Sequence, residues 1–547
     1  MSITNKIKGI FKPVDLTQGK PWKVILIFWI PVVLSYLFQQ LYTLIDEMVL
    51  GQYVADQFVT GVDNTNSLVF LILQFAFGCT AGFSVVSAGK KGENDLDGLR
   101  KSFWTQMILA LIVSIVLTAI AVPCVDPLLK VLGLTSGYTY ESAKVFITTI
   151  YSGLFTQIFY NLICAFLRSI GDSLTPFLFL AGSTLLSVGL DFLFIAGIPN
   201  SLPEFGMAES GLSGAGGIFG AAMSVNISQF VSAAGCIIYA LIKYKFLRPK
   251  KEDFKLSWSF CWEHLKLGLP LAFQFSILAI GLIILQADIV DFDTFAMYYH
   301  SANGSYFNWN GIDLEPIKEV TIGGSDKLSY NLAQTAFGPS NKFETALETT
   351  MDALGATMLS FCSQNRGARN YQRIKTGLLQ SFAIGGIITV VVASVELLSS
   401  INGGVLYLFL NPSYITPAVI QYSQLYFFFI APTSFMLCLL FIVRSSVQGL
   451  GKSMFPFISG CLELVARVGV VYLIPLIVNG NGMTFDVPSI GSFTSNHYGW
   501  AYLSVCLAHP AAWLLAVIPC GVAIYYYVFK NKLEAQDLKR YGNGAII

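Results

Sequence analysis

The sequence predicts an all-α membrane protein: twelve transmembrane helices in two pseudo-symmetric six-helix lobes, with an extra outer loop inserted between helices 7 and 8. Three observations predict it. The 547 residues are 54% hydrophobic and only 12% charged, with a mean hydropathy of +0.63, whereas soluble proteins carry about twice that charged fraction. Apolar runs recur from end to end, each long enough to cross a hydrocarbon core of about 30 Å as a helix. The two halves of the chain also repeat each other.

The runs give twelve spans: 23–50, 58–88, 101–124, 142–168, 174–198, 215–243, 260–287, 344–364, 377–400, 418–446, 453–479 and 499–529. An even number places both termini on one side. The tails and the loops after even-numbered spans hold most of the basic residues, among them Lys90, Lys91, Arg100, Lys101, Arg366, Arg369, Arg373 and Lys375. The opposite loops hold Lys130, Lys144, Lys318, Lys327 and Lys342, so both termini are expected in the cytoplasm. The basic, polar first 21 residues and the long apolar segment after them do not read as a cleavable signal peptide. Ten singly spaced cysteines in or beside apolar segments indicate neither a disulfide framework nor a zinc site. The net charge of +1 gives no reason to expect a nucleic-acid partner.

The basic stretch from Lys243 to Lys251 divides the chain into lobes at 1–245 and 246–547. Leu167-Arg168-Ser169-Ile170-Gly171-Asp172 with Pro176 corresponds to Val447-Gln448-Gly449-Leu450-Gly451-Lys452 with Pro456, at an offset of 280. The loops around Gly92 and Gly367 correspond, and Pro31 pairs with Pro270. Two six-helix repeats of one orientation are the pattern of a transporter whose substrate sits between lobes near the midplane. The offset grows between the paired prolines and the paired loops, so the second half carries an insertion, within about 288–343. This segment is too polar to cross the membrane and too aromatic for a linker; an ordered outer cap, with a β-hairpin, is expected. Asn303-Gly304-Ser305 matches a glycosylation sequon by chance. Gly78 with Gly82 and Gly216 with Gly220 form GxxxG patterns that permit close helix approach.

Polar residues inside spans are costly and therefore informative. In the first span Ser35, Gln39, Tyr42, Thr43 and Asp46 fall on one helical face. Asp191 interrupts an apolar run in the fifth span, with Ser187 one turn before it. Asp46, Asp191 and Ser187 are expected to converge on a pocket that holds a proton or a cation, because burial favours a protonated carboxyl and a bound cation favours the ionised one. Glu463 and Arg467, at i and i+4 in the eleventh span, can pair. That pair reads as structural or as part of a substrate pathway. Few other acids are placed in spans, and Arg467 reads as the one basic residue well inside a span. His509 before Pro510 reads as structural. There is no HExxH, no Walker A motif and no GxSxG in a suitable context, so no enzyme and no cofactor is expected.

Six segments together resemble the multidrug and toxic compound extrusion (MATE) family: Leu41 to Gly51, Leu167 to Pro176, Leu190 to Ile195, Gly220-Ala221-Ala222, Gln364 to Ala368 and Gln448 to Ser453. The resemblance implies a V-shaped pair of lobes exporting organic cations or other amphipathic compounds in exchange for H⁺ or Na⁺. It places Asp46 and Asp191 at the coupling-ion site, where they would also be the ligands of a sodium ion. Gln39 and Tyr42 match first-helix positions facing the N-lobe cavity, Asn161 matches a fourth-helix asparagine near them, and Pro31 matches the proline where that helix can bend. Departures from the family pattern shift the coupling ion towards protons: Ser187 replaces an asparagine, Val225 beside Ser224 replaces a threonine, and no acid stands near Ile277 early in the seventh helix. Glu463 and Arg467 complete the expected substrate cavity.

The resulting expectation is a monomeric secondary antiporter of the cell membrane, in contact with lipid and a small-molecule substrate. The alternatives are a lipid-linked precursor flippase of the same superfamily, or a receptor or scaffold that has kept the fold.

Overall fold

In the computed structural model, residues 13–541 are described except 55, 132–133, 135, 198–212, 304–307, 310–311, 314–316, 323–325, 478–482, 488–490 and 496–497. Twelve helical spans follow one another: α1 (Pro21–Tyr53), α2 (Asp56–Gly92), α3 (Leu96–Ala121), α4 in two segments (Tyr138–Ser152 and Leu154–Ser169), α5 (Leu174–Asp191), α6 (Ser213–Lys243), α7 (Trp258–Asn303), α8 (Leu332–Gly367), α9 (Tyr371–Ser400), α10 (Pro417–Gly449), α11 (Met454–Ile477) and α12 (Tyr498–Ile524). A short α13 (Lys532–Tyr541) follows. Ten of the spans are long and apolar enough to cross a membrane, and the two segments of α4, bent by 48°, make an eleventh.

The exception is α8. It is longer than the expected 344–364, and it carries Lys342, Glu344, Glu348 and Asp352. A helix this polar is tolerated at membrane depth only when other helices shield it. It packs against α1, α2, α9 and α10 at the centre of the molecule. The outer helices show the opposite pattern, with Leu185, Ile387, Val390, Leu398 and Val465 exposed, as lipid-facing surfaces require.

The halves meet most closely along α2 and α7. A Cβ on Gly78 or Gly82 would collide with the backbone of Ala272 or Gly268 on α7. The first GxxxG pattern therefore serves close approach, as expected. At the end carrying the termini, the chain before α1 straps both halves. The Val14 amide donates to the Gly171 carbonyl (2.8 Å). The buried Leu16 accepts from Asn365 Nδ2 and Arg373 Nε (both 3.1 Å). There too, α13 docks through Asp537, which pairs with Arg366 at 2.9 Å.

At the other end, α7 runs on to Asn303, well past the expected 287, and leads into two antiparallel hairpins. They are β1 (Asn308–Trp309) with β2 (Ile312–Asp313), and β3 (Ile317–Ile322) with β4 (Asp326–Asn331), in register from Ile317 opposite Asn331 to Ile322 opposite Asp326. Asn331 closes the segment by capping α8, its side chain accepting from the Gln334 amide. The sequon's Gly304 and Ser305 lie outside the described residues. A third hairpin, β5 (Met483–Val487) with β6 (Gly491–Ser495), precedes α12 and has no counterpart in the sequence reading.

Candidate functional site

In the N-terminal half, α1 runs unbroken through Pro31 and brings Asp46 to the end of α5. There the helix gives way after Asp191 to a π-helical turn, Phe192–Gly197; such turns recur at functional sites. Asp191 is wholly buried. Its Oδ1 accepts from the Ser224 hydroxyl on α6, and its Oδ2 is enclosed without a partner. Asp46 is half-buried, its Oδ1 likewise enclosed and unpartnered, and each carboxylate lies within reach of the other's charge. Ser187 is 1% exposed with an unpartnered hydroxyl, and the Tyr42 hydroxyl faces Ser187 and both carboxylates.

The structure therefore brings Asp46, Asp191, Ser187 and Tyr42 together. Ser224 restores the sixth-helix hydroxyl that the Val225 alignment had removed. Among the described residues no lysine, arginine or histidine pairs with either aspartate. Gln39 is exposed one turn before Thr43, and Asn161 spends its Nδ2 on the Gln157 carbonyl of its own helix (2.8 Å). Neither is hydrogen-bonded to the carboxylates.

The C-terminal half holds more acid than the sequence reading allowed. Glu463 pairs with Arg467 at 2.8 Å, as the spacing predicts, and also with Arg444 of α10 at 3.1 Å. Both of its oxygens are thus occupied by arginine, and all three side chains are buried. Arg467 is not the one basic residue inside the spans: Arg444 is equally buried, and Arg168 lies with its guanidinium 5.9 Å from the Tyr36 ring centre. Beside this triad sit Glu344 (2% exposed), which accepts from the Tyr426 hydroxyl; Glu348, one turn on; and Glu396 of α9 (0% exposed), approached by Ser434 Oγ at 3.4 Å. One oxygen of each of these three acids is enclosed without a partner. Asp352 lies further along α8, within reach of Arg444 and Arg168. A signal for these acids existed: Glu344, Glu348 and Asp352 repeat at intervals of four on one helical face, and Glu396 is a lone carboxylate in an apolar run, as Asp191 is.

The profile of the MatE family matches residues 31–193 and 335–473, more than half of the chain, a match that includes both aspartates of the N-terminal site and all four glutamates of the C-terminal one but not Ser224. The chain belongs to the MatE family. Members of the MatE family are transporters, not enzymes. The probable multidrug resistance protein NorM of Thermotoga maritima is 26% identical over 245 residues, 45% of this chain and 50% of the relative; the alignment thus spans half the length of that protein. The probable multidrug resistance protein YoeA of Bacillus subtilis is 23% identical over 69% of this chain and 72% of its own. Among solved structures, a MOP superfamily transporter from Pyrococcus furiosus, described as having a binding pocket of reverse polarity, superposes with a TM-score of 0.74 at 18% identity, covering 95% of this chain and 99% of its own. An outward-facing multidrug resistance MATE transporter gives 0.72 at 18% identity, covering 94% and 98%. These structures share the twelve-helix, two-lobe fold with this multi-pass membrane protein.

Proposed function

We propose that this MatE protein is a secondary antiporter of the cell membrane that exports cationic or amphipathic small molecules in exchange for protons. Asp46 and Asp191 carry the coupling ion. The observation behind this reading is a pair of neighbouring carboxylates, Asp191 wholly buried and Asp46 half-buried, each with an enclosed, unpartnered oxygen and neither bound to a cationic side chain among the described residues. Two such charges in a low-dielectric site are not stable together without a proton or a cation. Tyr42, Ser187 and Ser224 give the site hydroxyls that can bond a protonated or an ionised carboxyl. Na⁺ is the second candidate, with the same two aspartates as ligands, because hard cations take oxygen donors.

The lobes, 1–245 and 246–547, act as the moving bodies of alternating access, with Gln39 and Asn161 lining the path and both termini in the cytoplasm. The working unit is a monomer. Glu463 and Arg467 support the C-lobe wall rather than meet substrate, since Glu463 is fully engaged by two arginines. The lipid-linked precursor flippase ranks second: it needs several free cationic groups in the cavity, and Arg444 and Arg467 are held by Glu463.

The test is efflux of a fluorescent organic cation from proteoliposomes under an imposed pH gradient and, separately, a Na⁺ gradient. Wild type should respond to the pH gradient, and Asp46→Asn should not. A response to Na⁺ alone moves the coupling ion to sodium. No response to either, with folded protein, favours the flippase or the non-transporting reading.

A further inference from the structure

The C-terminal half holds a charge imbalance that its own residues do not cancel. Glu344, Glu348, Glu396 and Glu463 stand against Arg444 and Arg467; both arginines are bound to Glu463, and Arg467 also lies within reach of Glu344 and Glu348, which leaves four acids against two arginines. The remaining charged or titratable neighbours do not neutralise the other three. On α8, Lys342 is turned to Glu47 of α1 (2.6 Å), and Asp352 adds a further acid nearer Arg444 and Arg168. On α10 Tyr426 donates to Glu344, and on α12 Cys506 faces Glu344 while His509 faces Arg467. Helices α2 and α7 bring no titratable group to the three among the described residues.

Two independent helices supply the acids. Glu344 and Glu348 share a face of α8, and Glu396 approaches from α9 with no exposed surface and a buried oxygen, Oε1, that has no hydrogen-bond partner. Three ionised carboxylates in this setting would each need a partner. No three acidic, histidine or cysteine side chains among the described residues converge closely enough to hold a metal ion. A proton needs no such convergence, because it binds a single carboxyl oxygen, removes that group's charge and turns it into a hydrogen-bond donor. The Tyr426 hydroxyl, itself reached by Asn341 Nδ2 at 3.3 Å, supports a remaining carboxylate on Glu344.

We infer that Glu344, Glu348 and Glu396 form a second proton-binding site, built on α8 and α9 and separate from the Asp46–Asp191 pair. Its place in the transport cycle rests on the antiporter reading; its proton occupancy does not. Because α8 lies between α1 and α2 of one half and α9 and α10 of the other, a change in the charge of this site acts on the helix that joins the two.

The experiment reads proton binding without transport. Full-length protein in lipid nanodiscs is stepped from alkaline to neutral pH in dilute buffer, proton uptake is counted, and the protonated-carboxyl infrared band is recorded in H₂O and D₂O. Wild type, Glu348→Gln, Glu396→Gln and Asp46→Asn are compared, with thermal unfolding as the folding control. The site predicts that Glu348→Gln and Glu396→Gln each lower uptake by about one proton and weaken the band, that the loss adds to that in Asp46→Asn, and that adding Na⁺ leaves the uptake of Asp46→Asn unchanged. Uptake and band equal to wild type in both glutamine variants would overturn the inference. So would Na⁺ binding that is present in wild type and lost in both variants. If Glu348→Gln fails to fold, Glu396→Gln decides alone. A chain that moves no substrate but shows the predicted uptake refutes the transport reading and leaves the site standing.

Discussion

Asp46 and Asp191 in the N-terminal half and Glu463 in the C-terminal half are all acids on apolar helices with enclosed carboxylate oxygens, yet their surroundings differ. Glu463 has an arginine on each oxygen, at 2.8 and 3.1 Å, so its charge is cancelled within the fold. The two aspartates have hydroxyls and each other. A cancelled charge stabilises architecture and has nothing to exchange. An uncancelled one recruits something from outside, and its occupancy changes with the medium. The same contrast divides the C-terminal acids, where Glu463 is held by two arginines and Glu344, Glu348 and Glu396 form no ion pair among the described residues.

This contrast can be broken by substitution. The largest effect should follow Asp46→Asn, which is expected to lower gradient-driven transport at least tenfold while leaving thermal stability equal to or above wild type, since a repulsion is removed. Asp191→Asn should do the same. Glu463→Ala should act in the reverse sense: it strands two buried arginines and costs about 3–5 kcal/mol of stability, read as a lowered unfolding midpoint in detergent. Gly82→Leu tests what joins the halves. Its side chain would push against the Gly268 backbone, and a loss of about 1–3 kcal/mol is expected.

The smallest effect is at the periphery, where Asp537 anchors α13. Burial pushes its carboxyl up, but the hydrogen bonds and charge of Arg366 outweigh burial and hold it below the usual carboxylate range. A lowered value in the folded state means that its contribution to docking is full above about pH 4, the ordinary carboxylate value, and fades as pH falls through the folded one. Asp537→Asn should therefore speed proteolysis of α13 at neutral pH and remove the acid dependence of that cleavage.

The sequence disclosed what hydropathy and isolated charges encode. All twelve spans were legible, and Asp46 and Asp191 stood out, the first as the end of a polar helical face and the second because it interrupts an apolar run. The Glu463–Arg467 pair was readable from its spacing. What escaped was fixed by packing. Helix α8 was found but drawn too short, at 344–364, and its acids near the start of that span were discounted; only enclosure by four other helices explains their depth. Arg444 meets Glu463 from another helix, 19 positions away, a contact no local pattern records. Ser224 rather than Val225 faces Asp191, and on a helix a one-residue step turns the side chain by about 100°, enough to change which of the two meets the carboxylate.

The most direct test of the central claim is organic-cation efflux from proteoliposomes under a pH gradient, compared between wild type, Asp46→Asn and a Glu463→Gln variant shown to be folded. The account predicts pH-driven efflux in wild type, its loss in Asp46→Asn, and its retention in Glu463→Gln at a rate within a few-fold of wild type. Undiminished pH-driven efflux in Asp46→Asn, or its abolition in the folded Glu463→Gln protein alone, would contradict it.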